Sequence, residues 1–159
     1  MPVPSYSVGQ VLPSADVNTW FLPLAAAAVT DQSTTNSSAT PVNDNTLSVA
    51  LAASANYQVE LFLRYNTTST TVAAGQFTGP SGATLSLTAV NIAAANDINL
   101  SGAFFFGPAT NGVDFASAFI GSIVTSSTAG TLQFQFWSGT GGSSVTRRAR
   151  SRLVLRRTS

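Results

Sequence analysis

From Leu47 onward the side chains alternate with a period of two, and this rhythm constrains the fold more than any other feature. Tyr57, Val59, Leu61, Leu63 and Tyr65 alternate with Gln58, Glu60, Phe62 and Arg64. Successive side chains of a strand point to opposite faces, so one of these sets lines a core. Leu47, Val49 and Leu51 keep the same rhythm, as do Leu85, Leu87 and Ala89 after the Gly79-Pro80-Ser81-Gly82 turn. Ile98 to Phe106 is a further expected strand, closed by Gly107-Pro108. Phe115, Ser117, Phe119, Gly121 and Ile123 form the next, and Leu132, Phe134 and Phe136 alternate with Gln133 and Gln135. The last expected strand runs from Val145 to Leu155. About eight short strands punctuated by Gly, Pro, Asn and Ser predict an all-β fold, a single antiparallel β-sandwich or jelly roll. No period of fixed length recurs, which argues against a solenoid or propeller. Thr30 to Asn45 is so polar that it reads as a loop, with parts of it an edge strand.

The opening of the chain follows other rules. Pro2, Pro4, Pro13 and Pro23 punctuate an extended arm, because proline fixes φ and carries no N–H. Ser14 suits the cap of a short helix, with Asp16 near its positive end. Val17, Trp20, Phe21 and Leu24 recur at helical spacing, and Pro23 limits the helix to about two turns. A helix that short needs a surface to rest on. The expected organisation is an N-terminal arm and helix over residues 1–30, serving attachment, and a β-sandwich over 31–159. Met1 to Tyr6 lacks the basic residues of a secretory leader. The apolar run Phe21 to Val29 is broken by Pro23 and falls short of the ~20 residues that cross a bilayer.

Composition narrows the chemistry. Of 159 residues, 44% are hydrophobic and only 8% charged, against a usual charged share of about 25%. There is no His, Cys or Lys. Their absence removes imidazole bases, thiol nucleophiles, Cys/His metal sites, Schiff bases and the P-loop. The acids are Asp16, Asp31, Asp44, Glu60, Asp97 and Asp114, and no spacing among them singles out a glycosidase pair. Asn43-Asp44-Asn45 and Asp97-Ile98-Asn99 contain oxygen ligands suited to Ca²⁺, but Asx turns use the same residues without metal. No cofactor or metal is expected, and no enzymatic activity.

Six of the seven arginines fall between Arg147 and Arg157. On one continuous strand, Arg148, Arg150, Arg152 and Arg156 share a face with Val154, while Ala149, Ser151, Leu153 and Leu155 share the other. Such a basic stripe serves as a solvated face, as a contact for an acidic protein surface, or as a phosphate contact. No RNA-binding aromatic motif accompanies it. Phe104, Phe105 and Phe106 are consecutive, so a strand must turn at least one of them outward. Phe62 and Trp137 share the outward parity of their strands. Exposed aromatics mark interfaces, which makes Phe62, Phe105 and Trp137 the expected subunit contacts.

Several stretches resemble one group of proteins. Val8-Gly-Gln-Val-Leu-Pro-Ser-Ala-Asp-Val-Asn-Thr-Trp20, Asp31-Gln-Ser-Thr-Thr and the Asn43-Asp44 pair ahead of the Leu47 strand are three of them. Tyr57 to Tyr65, the Gly79-Pro80-Ser81-Gly82-Ala83-Thr84 turn, and Gly130-Thr-Leu-Gln-Phe-Gln-Phe-Trp137 before an Arg-rich strand are the others. Together they resemble small β-rich virion accessory proteins of tailed phages of actinobacteria, which decorate heads, form head fibres or serve as minor tail proteins. The resemblance implies a jelly-roll or tumour-necrosis-factor-like sandwich, a homotrimer, and a place on the virion surface; the head is expected before the tail. The expected partner is the major capsid protein or a tail component, and the apolar helix face of Val17, Trp20, Phe21 and Leu24 supplies the expected attachment residues. In the alternative of a minor tail or tail-tip protein, Trp137 and Tyr65 would stack on a host-surface glycan, and a glycan-cleaving variant would draw on Asp97 or Asp114. Nucleic acid and membrane are not expected partners.

Overall fold

The computed structural model describes residues 7–11, 13–14, 22–35, 40–68, 73–90, 98–105, 112–139 and 143–159. Eleven strands follow one another: β1 (Leu24–Ala27), β2 (Gln32–Thr34), β3 (Val42–Leu51), β4 (Asn56–Thr67), β5 (Ala73–Thr78), β6 (Thr84–Ala89), β7 (Phe104–Phe105), β8 (Phe115–Val124), β9 (Gly130–Ser138), β10 (Val145–Arg147) and β11 (Arg152–Arg157). Every pairing between them is antiparallel.

The strands form two sheets. In sheet A, β4 is flanked on one edge by β10 and β11 and on the other by β8, with β6 beyond it. β2 extends β10, and β1 extends β11. Sheet B runs β3-β9-β5-β7. The pairs β1/β2 and β10/β11 each behave as one interrupted strand, which leaves a nested scheme. The first strand pairs with the last, β3 with β9, β4 with β8, and β5 with β7, while β6 adds an outer edge. A long antiparallel hairpin rolled into two facing sheets has this order, so the sandwich is a jelly roll.

Alternation positions the core as the sequence predicts. Tyr57, Val59, Leu61, Leu63 and Tyr65 of β4 are all buried, as are Leu132, Phe134 and Phe136 of β9. Between the sheets an aromatic cluster closes the centre: Phe77 and Phe134 lie 5.4 Å apart by ring centroid, and Phe104 and Phe119 lie 5.1 Å apart at a steep angle. Edge-to-face geometry of this kind adds about 0.5–1.5 kcal/mol per pair beyond area burial.

One expectation is filled in and three are corrected. The edge strand expected within Thr30 to Asn45 is present as β2, and β3, at the edge of sheet B, also starts there; their polar side chains are held by a hydrogen-bond network. Ile98 to Phe106 is not one strand. Ile98 exchanges both backbone hydrogen bonds with Leu87 in sheet A, whereas Phe104–Phe105 pairs with β5 in sheet B. Ser101, at a φ of 61°, turns the chain between the two sheets. Leu24 does not belong to a helix: it pairs with Leu155 in β1 and packs half-buried against the core. The sandwich therefore begins at Leu24 rather than at residue 31. Val17, Trp20 and Phe21, and with them the body of the expected helix, lie outside the described residues. The third correction concerns the last strand.

Candidate functional site

The arginine-rich end is two strands with a step between them. Tyr65 of β4 faces Arg147, and Phe62 faces Arg152. Two residues of β4, Leu63 and Arg64, thus lie opposite four, Arg148 to Ser151. The two extra residues form a bulge, and because their number is even, the inward parity of Val145 and Arg147 carries over to Leu153 and Leu155. The Arg64 carbonyl accepts from the Arg148 N–H, the Ser151 hydroxyl accepts from the Arg64 N–H, and the Arg150 N–H reaches the Ala28 carbonyl at 2.7 Å. The continuous face of Arg148, Arg150, Arg152 and Arg156 is accordingly broken: Arg152, Val154 and Arg156 remain together on β11, while Arg148 and Arg150 sit in the bulge.

Parity places one arginine inside. Arg147 is 2% exposed, among the largest fully buried side chains. Its Nε donates to Asp44 Oδ2 at 2.5 Å, and Nη2 reaches Asp44 Oδ1 at 3.3 Å and Asn45 Oδ1 at 3.0 Å. Nη1 donates to the Thr30 carbonyl. Asp44 Oδ1 accepts in turn from the N–H groups of Thr46 and Leu47, at the irregularity in the β3–β9 register. Asp44 is thus the counterion of a buried cation and the cap of a strand irregularity, and its oxygens are occupied by protein donors rather than open to Ca²⁺. A buried charge is tolerated only when its donors and acceptors are met in this way. Sequence reading overlooks the pair, although Arg147 shares the parity of Val145 and Leu153.

A second ion cluster sits at the surface. Arg148 bridges Asp31 at 2.7 Å and Asp114 at 2.8 Å, and Arg64 joins Asp114 at 3.5 Å. Arg156 pairs with Glu60 at 2.5 Å. Each described carboxylate side chain therefore has an arginine of the same chain. The Ala149 N–H, and then Arg148, hold the Asp31 carboxyl below its usual range. A lowered folded value stabilises the fold above the unfolded value of 3.8, and that contribution is lost as the pH falls through the folded value. Asp31→Asn is expected to flatten the acid limb of the stability curve below about pH 4. Urea midpoints across pH 2–6 check this; an unchanged acid slope would refute it.

The expected contact residues separate. Phe105 is 59% exposed on sheet B, beside Ala74. Phe62 is half-buried, with the Arg152 guanidinium 5.6 Å over its ring. Trp137 is 3% exposed and Tyr65 2%, so neither presents a ring to a neighbouring subunit or a sugar. Trp137 sits on the outward parity, but the strand ends around it are covered on both sides: Phe136, Trp137 and Ser138 are all buried. Asp114 is tied to Arg148 and Asn66, and Asp97 lies outside the described residues. Among the described residues no group of His, Cys, Asp or Glu is placed to hold a metal ion, and no helix is long and apolar enough to cross a membrane. The outer face of sheet A carries Ile120 and Val124, each about half exposed, with Val29 and Val90 near its margins.

Fold and surface together define a jelly-roll sandwich whose described acids all serve internal pairing. No family model matches the chain, and no curated protein matches it. Among solved structures it is similar to the Eiger TNF from S. frugiperda, at 10% identity and a TM-score of 0.46, covering 87% of this chain and 92% of that one. It is also similar to chains of infectious bursal disease virus. For the Gx strain the identity is 14% and the TM-score 0.30, covering 98% of this chain and 43% of that one. For the Gt strain they are 13% and 0.27, covering 97% and 40%. The chain spans about two fifths of these viral chains. The jelly-roll assignment rests on strand order, not on these scores.

Proposed function

We propose that the chain is a structural protein of a phage virion, a decoration or minor capsid protein that works by surface contact rather than catalysis. The observation that carries this reading is the commitment of its charge: every described carboxylate side chain is paired with an arginine of the same chain. Exposed apolar and arginine side chains are left to meet partners. The resemblance of the opening, the Tyr57 to Tyr65 strand and the Arg-rich end to small phage virion proteins supports it. The arm, with Val17, Trp20 and Phe21, attaches the protein to the particle. Self-association, as a homotrimer, falls to the exposed Phe105 margin of sheet B, since Trp137 is covered and Phe62 is topped by Arg152. Apolar burial drives both contacts, at about 25 cal/mol per Å² before the costs of association, and many copies on a shell multiply weak contacts.

Deletion of residues 1–21 tests the attachment. Because β1 begins at Leu24, this truncation leaves every described strand intact. The truncated protein is expected to keep its thermal midpoint and native mass but to lose co-sedimentation with particles lacking the protein. Normal decoration by the truncated chain would sink the role of the arm.

A further inference from the structure

Six of the seven described arginines divide into two groups with different work; the seventh, Arg157, is half-buried and donates to the Ser159 carbonyl. Arg64, Arg147, Arg148 and Arg156 are paired with carboxylates of their own chain. Arg150 and Arg152 are both exposed and have no carboxylate partner among the described residues. They lie next to β1, the edge strand of sheet A. Arg152 pairs in register with Ala27 on one side and Phe62 on the other, and Arg150 is tied by its N–H to Ala28. Apolar groups surround them: Ala27 and Val154 lie on the same outer face, and Val29 is 82% exposed. Between Phe62, Ile120, Glu60 and Arg152 the face is dimpled by a hollow of about 110 Å³.

Arg150 is also held in the left-handed region, at a φ of 70°. That conformation disfavours a side chain with a Cβ, and glycine would relieve it. An arginine there gives the fold no described side-chain contact in return. The turn of the bulge sets this φ, through the Ser151 N–H on the Arg148 carbonyl and the Arg150 N–H on the Ala28 carbonyl, but it does not call for a guanidinium at that position.

We propose that this edge of sheet A is the docking site for a carboxylate-bearing protein surface of the particle, with Arg150 and Arg152 as its charge contacts and the hollow beside Phe62 as the seat of an apolar side chain. The proposal rests on the virion reading and specifies the chemistry of the partner. Charge complementarity selects the occupant. A second copy of this chain meeting the same face would bring two more unpaired arginines, and like charges opposed across an interface are costly. An acidic surface supplies what the edge lacks, through the fork geometry in which guanidinium binds carboxylate.

The test uses the full-length protein and purified shells lacking it. Arg150→Gly removes the guanidinium and the strain together, so its thermal midpoint is expected to stay level or rise. Arg152→Gln keeps most of the length of the side chain. Each variant is expected to bind shells about tenfold more weakly, and wild-type binding is expected to weaken with added salt and to be competed by poly-L-glutamate. Wild-type affinity in both variants would overturn the docking site while leaving the virion reading intact. Competition by a short DNA duplex but not by poly-L-glutamate would also overturn it, in favour of a phosphate contact. Failure of the wild-type protein to bind shells at all would remove the virion reading and this proposal with it.

Discussion

Arg147→Met is expected to cost the fold about 3–5 kcal/mol, the scale for leaving one member of a buried ion pair without its partner. A domain of this kind has only about 5–15 kcal/mol in total, so the variant sits near the edge of folding. The substitution keeps most of the volume, which separates the charge effect from a cavity. What remains is the Asp44 carboxylate, 2% exposed and stripped of its cation. The expected readout is a large fall in the urea midpoint with little change in slope. Arg147→Met combined with Asp44→Asn should recover part of the loss. The amide removes the buried charge, and its oxygen can still accept from Thr46 and Leu47. A loss of less than about 1 kcal/mol in the single variant would contradict this, since the pair would then be worth no more than a solvated surface bridge. Additivity of the two substitutions would likewise show no coupling between them.

Gly121→Ala is expected to cost about 3 kcal/mol, at the upper end of overpacking, and to release β6 from its neighbour. Gly121 sits in β8 between Val59 of β4 and Leu87 of β6. A Cβ built there would lie 1.9 Å from the Ser86 carbonyl oxygen and 2.9 Å from the Leu87 Cα. Both obstacles are backbone, so no side-chain rotation relieves them, and the edge strand itself must move. Its glycine marks a close approach of two backbones rather than a turn. Hydrogen exchange should show loss of protection confined at first to the β6–β8 pairing. Retained protection across Thr84–Ala89 together with an unchanged thermal midpoint would contradict the prediction.

Legibility differs from segment to segment. β4, β8 and β9 are visible in the sequence because one face of each is buried over most of its length, and a half-buried strand writes a period of two. The break between Ile98 and Phe104 is invisible there, since both halves point apolar groups at the same core while belonging to different sheets. The polar residues of β2 and early β3 look like loop because their stabilisation comes from amides and an arginine far away in sequence, such as Gln32 against Asn45 and Gln133 against the Asp44 carbonyl. The arginine stripe is half legible. Arg152, Val154 and Arg156 share a face as periodicity demands, but the bulge at Arg148 to Ser151 depends on matching β4 residue for residue. Parity finds Phe105 and misplaces Trp137, because parity tells which side of a sheet a residue takes and not what covers that side.

By itself the amino-acid order determined that this protein is a β-sandwich, which residues of its longer strands form the core, and which chemistries its missing His, Cys and Lys rule out. These follow from local properties: the pleat of a strand, the fixed φ of proline, the identity of a functional group. Tertiary structure alone decided the nested strand order, the burial of Arg147 on Asp44 across 103 positions of chain, and the division of the arginines into paired and unpaired sets. An ion pair forms wherever folding brings two charges together, and that meeting depends on how the hairpin rolls up, which no neighbouring residues record.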